Sequence, residues 1–99
     1  MTIKTIQDGS AITLAVEGRI DTNTSPELQA ALLKAFQNAQ AVVVDFAAVP
    51  YISSAGLRAL LIGQKTAASK GSTMSLTNVS APVYSILESV GFAKILTIK

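Results

Sequence analysis

The chain is 99 residues long, 49% apolar and 14% charged, with eight Lys and Arg against six Asp and Glu. One domain spanning 1–99 around a single core fits those figures, and a disordered segment does not. His and Cys are both absent, which excludes a Ser-His-Asp triad, a Cys-His pair, a disulfide and an imidazole-bound zinc.

The net charge of +2 comes from scattered side chains rather than a run of Lys or Arg. No nucleic-acid footprint is therefore expected, despite a pI of 9.2. No apolar stretch reaches the ~18–20 residues that cross a membrane, and the first residues carry no apolar signal segment. A small, soluble cytoplasmic protein that needs no cofactor and no metal is the expectation.

Ile3, Thr5 and Gln7 alternate with Lys4 and Ile6, and Ala11 to Glu17 alternates again beyond Asp8-Gly9-Ser10. The turn chemistry between two alternating runs predicts a hairpin with strands at 2–7 and 11–17. Gly18-Arg19-Ile20-Asp21 then leaves the second strand. Ser25 suits a helix N-cap, Pro26 the first helical position and Glu27 the positive end of the dipole. Leu28, Ala31, Leu32, Ala35, Phe36 and Ala39 follow at helical spacing, predicting an amphipathic helix over 26–38.

The run Ala41-Val42-Val43-Val44-Asp45-Phe46 is nearly continuous in its apolarity and rich in Val. That pattern predicts a central strand at 41–46, buried on both faces. After a connection containing Pro50, Leu57, Leu60, Leu61 and the stretch from Gln64 to Ala68 give a helix over 55–69. Lys70-Gly71 supplies its stop signal. A strand is expected at 73–77. Ser80-Ala81-Pro82 opens a third helix closed by Gly91, and Ile95 to Ile98 forms a last strand. The order is β-β-α-β-α-β-α-β: an α/β fold with a single mixed sheet, helices packed on it and a right-handed βαβ crossover.

Catalytic options are thin. The six acids, Asp8, Glu17, Asp21, Glu27, Asp45 and Glu88, show no spacing that pairs two on one helix face. Lys70-Gly71-Ser72 lacks the glycine pattern of a phosphate loop, and Ser54-Ala55-Gly56 lacks the leading glycine of a nucleophile elbow. No enzymatic role is expected.

The unusual segment is Val49 to Leu57, which leaves the most buried strand and enters a helix at the sheet edge where α/β proteins meet ligands and partners. Ser53 and Ser54 fall at or just before the first helical turn. One reading is capping, in which a hydroxyl accepts from an orphan N–H and stabilises the helix by ~1 kcal/mol. The other is a switch. A phosphoserine adds about −1.5 to −2 charge, which the helix N-terminus tolerates and a docked partner does not. Arg58, one turn on, is read first as a solvated residue on an exposed face, and it also suits pairing with that phosphate or with an acidic partner residue. Residue chemistry alone leaves these readings open and does not separate Ser53 from Ser54.

Gly18-Arg19-Ile20-Asp21 resembles the Gly-x-Leu/Ile-Asp turn of the STAS domain family, the anti-sigma-factor antagonists and their relatives. Val43-Val44-Asp45-Phe46 followed by Val49-Pro50-Tyr51-Ile52-Ser53-Ser54-Ala55-Gly56-Leu57 resembles the family's strand, loop and Ser-x-Gly-Leu helix start. The resemblance covers essentially the whole chain. It implies a free-standing antagonist that captures an anti-sigma factor acting as an ATP-dependent serine kinase. Phosphorylation releases the antagonist, and a PP2C-type phosphatase reverses the modification. The serine two positions before the motif glycine is the acceptor in the family, which maps to Ser54 because Gly56 matches that glycine. In the best-known members an Asp precedes the acceptor; here Ser53 stands there and is a competing site. Asp21 matches the family's acid near the kinase-facing surface, and Thr22, Thr24 and Ser25 are expected on the same rim because their loop follows strand 11–17 and begins a helix. With Ser53, Ser54, Gly56, Leu57 and Arg58 they make up the expected partner-facing set. Turn closure is an equal role for Asp21. STAS domains also serve as stressosome parts, subunits of lipid-transport ATPases and transporter tails. The Met1 start and the lack of a membrane segment are expected to disfavour the last of these.

Overall fold

The computed structural model describes residues 1–99. Its first element is a hairpin in which β1 (Thr2–Asp8) and β2 (Ala11–Glu17) pair antiparallel, from Asp8 opposite Ala11 to Thr2 opposite Glu17. Gly9 and Ser10 alone make the turn. The chain then alternates helix and strand: α1 (Ser25–Asn38), β3 (Ala41–Ala48), α2 (Ser54–Lys70), β4 (Thr73–Thr77), α3 (Ala81–Ser89), a 3-10 turn at Phe92–Lys94, and β5 (Thr97–Ile98). The strands lie in the order β1-β2-β3-β4-β5, and every neighbouring pair after the hairpin is parallel.

Sequential order with parallel pairing has a geometric consequence. Right-handed crossovers that always step to the next strand in the same direction place all three connecting helices on one side of the sheet. Burial follows that rule. Ile12, Leu14 and Val16 of β2, Val42, Val44 and Phe46 of β3, and Met74 and Leu76 of β4 are buried and join Leu28, Leu32, Leu60, Val83 and Leu87 of the helices in one core. The alternate residues Ala11, Thr13, Ala15, Ala41, Val43 and Asp45 are only half-buried. The expectation that 41–46 is buried on both faces is therefore corrected. A Val-rich run also suits a one-sided strand when Ala and Thr neighbours shelter it sideways.

At its middle α2 is wedged between α1 and β4. A Cβ on Gly63 would stand 2.9 Å from Met74 Sδ and 3.0 Å from Leu32 Cδ1, so a bare glycine sets how close the helix approaches both. The end of the chain differs from expectation. Gly91 leads into the 3-10 turn, where the Ile95 and Leu96 N–H groups donate to the Phe92 carbonyl at 3.0 and 2.8 Å. Those two residues are still winding, and β5 is left with only Thr97 and Ile98.

Candidate functional site

Two loops meet beyond the C-terminal ends of β2 and β3. Ile20 and Ile52 form an isolated parallel bridge. The Ile20 N–H donates to the Tyr51 carbonyl at 3.0 Å, the Ser53 N–H to the Ile20 carbonyl at 2.8 Å, and the Gly18 N–H to the Ala48 carbonyl at 2.9 Å. Both isoleucines are fully buried. The Gly18–Asp21 turn and the segment leading to α2 are thus held together as one unit.

Within that unit the two serines have different positions. Ser53 is the N-cap of α2, with extended backbone and a side-chain oxygen accepting from the Gly56 N–H at 3.4 Å. It is half-buried. Ser54 is the first residue of α2 and is exposed. No acid stands in the first turn of α2, so the positive end of its dipole has no negative side chain beside it. Arg58, four residues after Ser54 and exposed, lies on the same face of the helix. It also lines a groove between the starts of α1 and α2 with Ser25, Gln29, Leu33 and Ala55.

Gly56 and Leu57, expected on the partner-facing rim, are buried. Gly56 lies where α2 presses on the loop pair: a Cβ there would sit 2.6 Å from Ile20 Cγ2 and 2.6 Å from Ile52 Cγ1. Both neighbours are β-branched and stiff at χ1. Gly56→Ala should therefore cost about 1–3 kcal/mol of overpacking, more than a helical alanine returns. Urea unfolding checks this, and an unchanged midpoint would refute it.

Asp21 closes its own turn. Its carboxylate accepts from the backbone N–H groups of Asn23 and Thr24 at 3.0 and 3.1 Å and from the Thr24 hydroxyl at 3.2 Å. The Thr24 hydroxyl oxygen in turn accepts from the Asp21 N–H at 2.8 Å and lies 2.9 Å from the Arg19 carbonyl. That web moves the start of α1. Thr24, not Ser25, is the N-cap, and its side chain makes no capping bond to the helix. The turn is already wound when the helix begins, because the Asp21 carbonyl receives the Ser25 N–H at 2.8 Å. Thr22 is exposed beside it.

The Thr24 backbone N–H, then those of Asn23 and the Thr24 hydroxyl, with Arg19 nearby, hold the Asp21 carboxyl below its ordinary value against a smaller opposing effect of desolvation. A carboxylate depressed in the folded state contributes stability above its unfolded value and loses it as pH falls through the folded one. Asp21→Asn should thus be less stable than the unsubstituted chain at neutral pH, and the gap should narrow in acid. Melting temperatures of both proteins across the acid range decide it; a gap that does not change with pH refutes the assignment.

Sequence reasoning missed one pair at this end. The Arg19 guanidinium lies 4.6 Å from the centre of the Tyr51 ring, a contact worth about 0.5–1 kcal/mol at an exposed site. Nothing in the local pattern of either segment points to it. Only the bridging of the two loops brings the residues together.

The family model described as Mlab, STAS domain, matches residues 3–97, and the chain belongs to the STAS domain family. Several solved structures share its fold. An anti-sigma factor antagonist from Mycobacterium paratuberculosis aligns over 98% of this chain and 83% of its own, at 21% identity and a TM-score of 0.87. The Bacillus cell fate determinant SpoIIAA in its phosphorylated form aligns over 99% of this chain and 91% of its own, at 14% identity and a TM-score of 0.76. A sulfate transporter family protein from Wolinella succinogenes aligns over 92% and 75%, at 21% identity and a TM-score of 0.80. No curated protein matches the chain by sequence. No helix is long and apolar enough to cross a membrane.

Proposed function

We propose that this chain is an anti-sigma-factor antagonist. It binds an anti-sigma serine kinase while Ser54 is unmodified, and it is released when Ser54 is phosphorylated. The Ser54 hydroxyl takes the terminal phosphoryl group of the kinase's ATP, ADP leaves, and a PP2C-type phosphatase later hydrolyses the ester. The chain acts in the cytoplasm as ligand and substrate, not as catalyst.

The observation that carries this reading is the division of labour between the serines. Ser53 supplies the cap and Ser54 is exposed one residue on. The absence of an Asp before the acceptor ceases to be an obstacle, because Ser and Asp are equivalent N-caps. The phosphorylated SpoIIAA neighbour supports the same reading. Thr22 and Arg58 are exposed for contact with the kinase, Asp21 and Thr24 hold the loop in shape, and Gly56 and Leu57 support the helix start from beneath.

Incubation with ATP and a histidine-kinase-like ATPase, followed by peptide mass mapping, tests it. One phosphate on Ser54, lost in Ser54→Ala, is expected. A phosphate on Ser53, or none, overturns the assignment. A second reading, a constitutive subunit of a stressosome or lipid-transport ATPase complex, rests on membership of the STAS domain family alone. It requires partner binding that Ser54→Asp leaves untouched.

A further inference from the structure

β1 is an edge strand with nothing beyond it in the sheet order. It carries little of the usual protection: seven residues, Thr2-Ile3-Lys4-Thr5-Ile6-Gln7-Asp8, without Pro, Gly or a register break against β2. Because the Gly9-Ser10 turn is two residues long, Asp8 and Ala11 form the hydrogen-bonded pair that closes it. Parity then leaves the N–H and C=O groups of Ile3, Thr5 and Gln7 turned away from β2, toward the open edge. On the sheet face without helices Ile6 is 57% exposed, the most exposed of the large apolar side chains. Lys4 and Asp8 flank it on that same face, both exposed. They are four residues apart along a strand, about 13 Å, too far to pair with each other.

We propose that β1 pairs antiparallel with β1 of a second copy of this chain, centred on Ile6, to give a twofold dimer with one continuous sheet. The charge pattern selects the occupant. In that register Lys4 of each copy stands directly opposite Asp8 of the other. Ile6 stands opposite Ile6, and Thr5 opposite Gln7 with their outward backbone groups paired. The pattern is self-complementary, as a twofold interface requires. One register covers the exposed isoleucine, joins both orphan charges and pairs the open backbone groups of Thr5 and Gln7. The dimer is independent of the kinase reading, since β1 does not contribute to the loops around Ser54.

The test is charge reversal with mixing. Within one copy Lys4 faces Ala15 and Asp8 faces Ala11, so Lys4→Glu and Asp8→Lys put no like charges opposite each other in the hairpin. Light scattering on the eluting peak should give twice the 10.3 kDa chain mass for the unsubstituted protein at high concentration. Each single reversal should weaken the dimer by about tenfold or more, as like charges then face each other twice. An equimolar mixture of the two variants should recover it. In the mixed dimer the introduced glutamate of one copy meets the introduced lysine of the other, and the unchanged Asp8 meets the unchanged Lys4. A monomer at every concentration up to the solubility limit overturns the proposal. So does a dimer indifferent to both reversals, or a mixture that fails to recover.

Discussion

If the proposed switch operates, a Ser54→Asp protein should bind an anti-sigma serine kinase at least about a hundredfold more weakly than the unsubstituted chain, while Ser54→Ala binds comparably and accepts no phosphate. The carboxylate puts a negative charge where, on that reading, a docked partner packs against a small neutral hydroxyl, and that charge must be desolvated or repelled. A phosphate carries about twice the charge, for which a penalty of ~3–4 kcal/mol and a several-hundred-fold loss follow. The domain itself should not suffer. A negative group at the first position of α2 meets free N–H groups and the positive end of the helix dipole, which favour it by about 0.3–1 kcal/mol. The expected signature is thus a split: affinity falls while the melting temperature and circular dichroism spectrum hold. Pull-down or calorimetry with the kinase checks the first half and thermal unfolding the second. A Ser54→Asp protein that binds as tightly as the parent rejects the switch and leaves the constitutive reading standing.

The second large effect is on the core. Phe46→Ala should destabilise the fold by about 3–5 kcal/mol. A chain of this length has a total of only about 5–15 kcal/mol to lose. Phe46 is the last inward residue of β3 and is fully buried. Its carbonyl also receives the Val49 N–H at 3.0 Å, which turns the chain toward the loop that delivers Ser53 and Ser54. Truncation opens a cavity in the core at the end of the strand from which that loop departs. Val43→Ala, on the face without helices, should cost far less. Urea unfolding of the two variants side by side measures the asymmetry. Equal losses would mean that the second face of the sheet is covered after all.

Much of the fold was legible because its signals are local. β4 was readable to the residue at 73–77, directly after the Lys70-Gly71 stop signal. The helices were placed within one residue at each end by Pro26, Lys70-Gly71 and Ser80. What escaped depends on partners distant in sequence. Ser25 looked like a cap because Ser precedes Pro, but Asp21 and Thr24 had already wound the turn through bonds that no propensity encodes. Ile95 to Ile98 alternates like a strand, yet the Phe92 carbonyl captures its first two N–H groups. Burial of 41–46 was overstated because apolarity reports what a strand tolerates, not how many layers cover it. At the site, residue chemistry reached the pair Ser53-Ser54 and stopped, and the resemblance chose between them. Their different exposure and bonding follow from where α2 begins, which depends on Ile20 and Ile52 meeting across the gap between the loops.

One consequence follows from Ser53 holding the cap. If its neighbour is esterified and de-esterified, the helix start has no bond to break and remake in either direction. Such a signal would be carried as chemistry on a static surface, and its tempo would be set by the opposing enzymes, with no conformational relaxation to limit it.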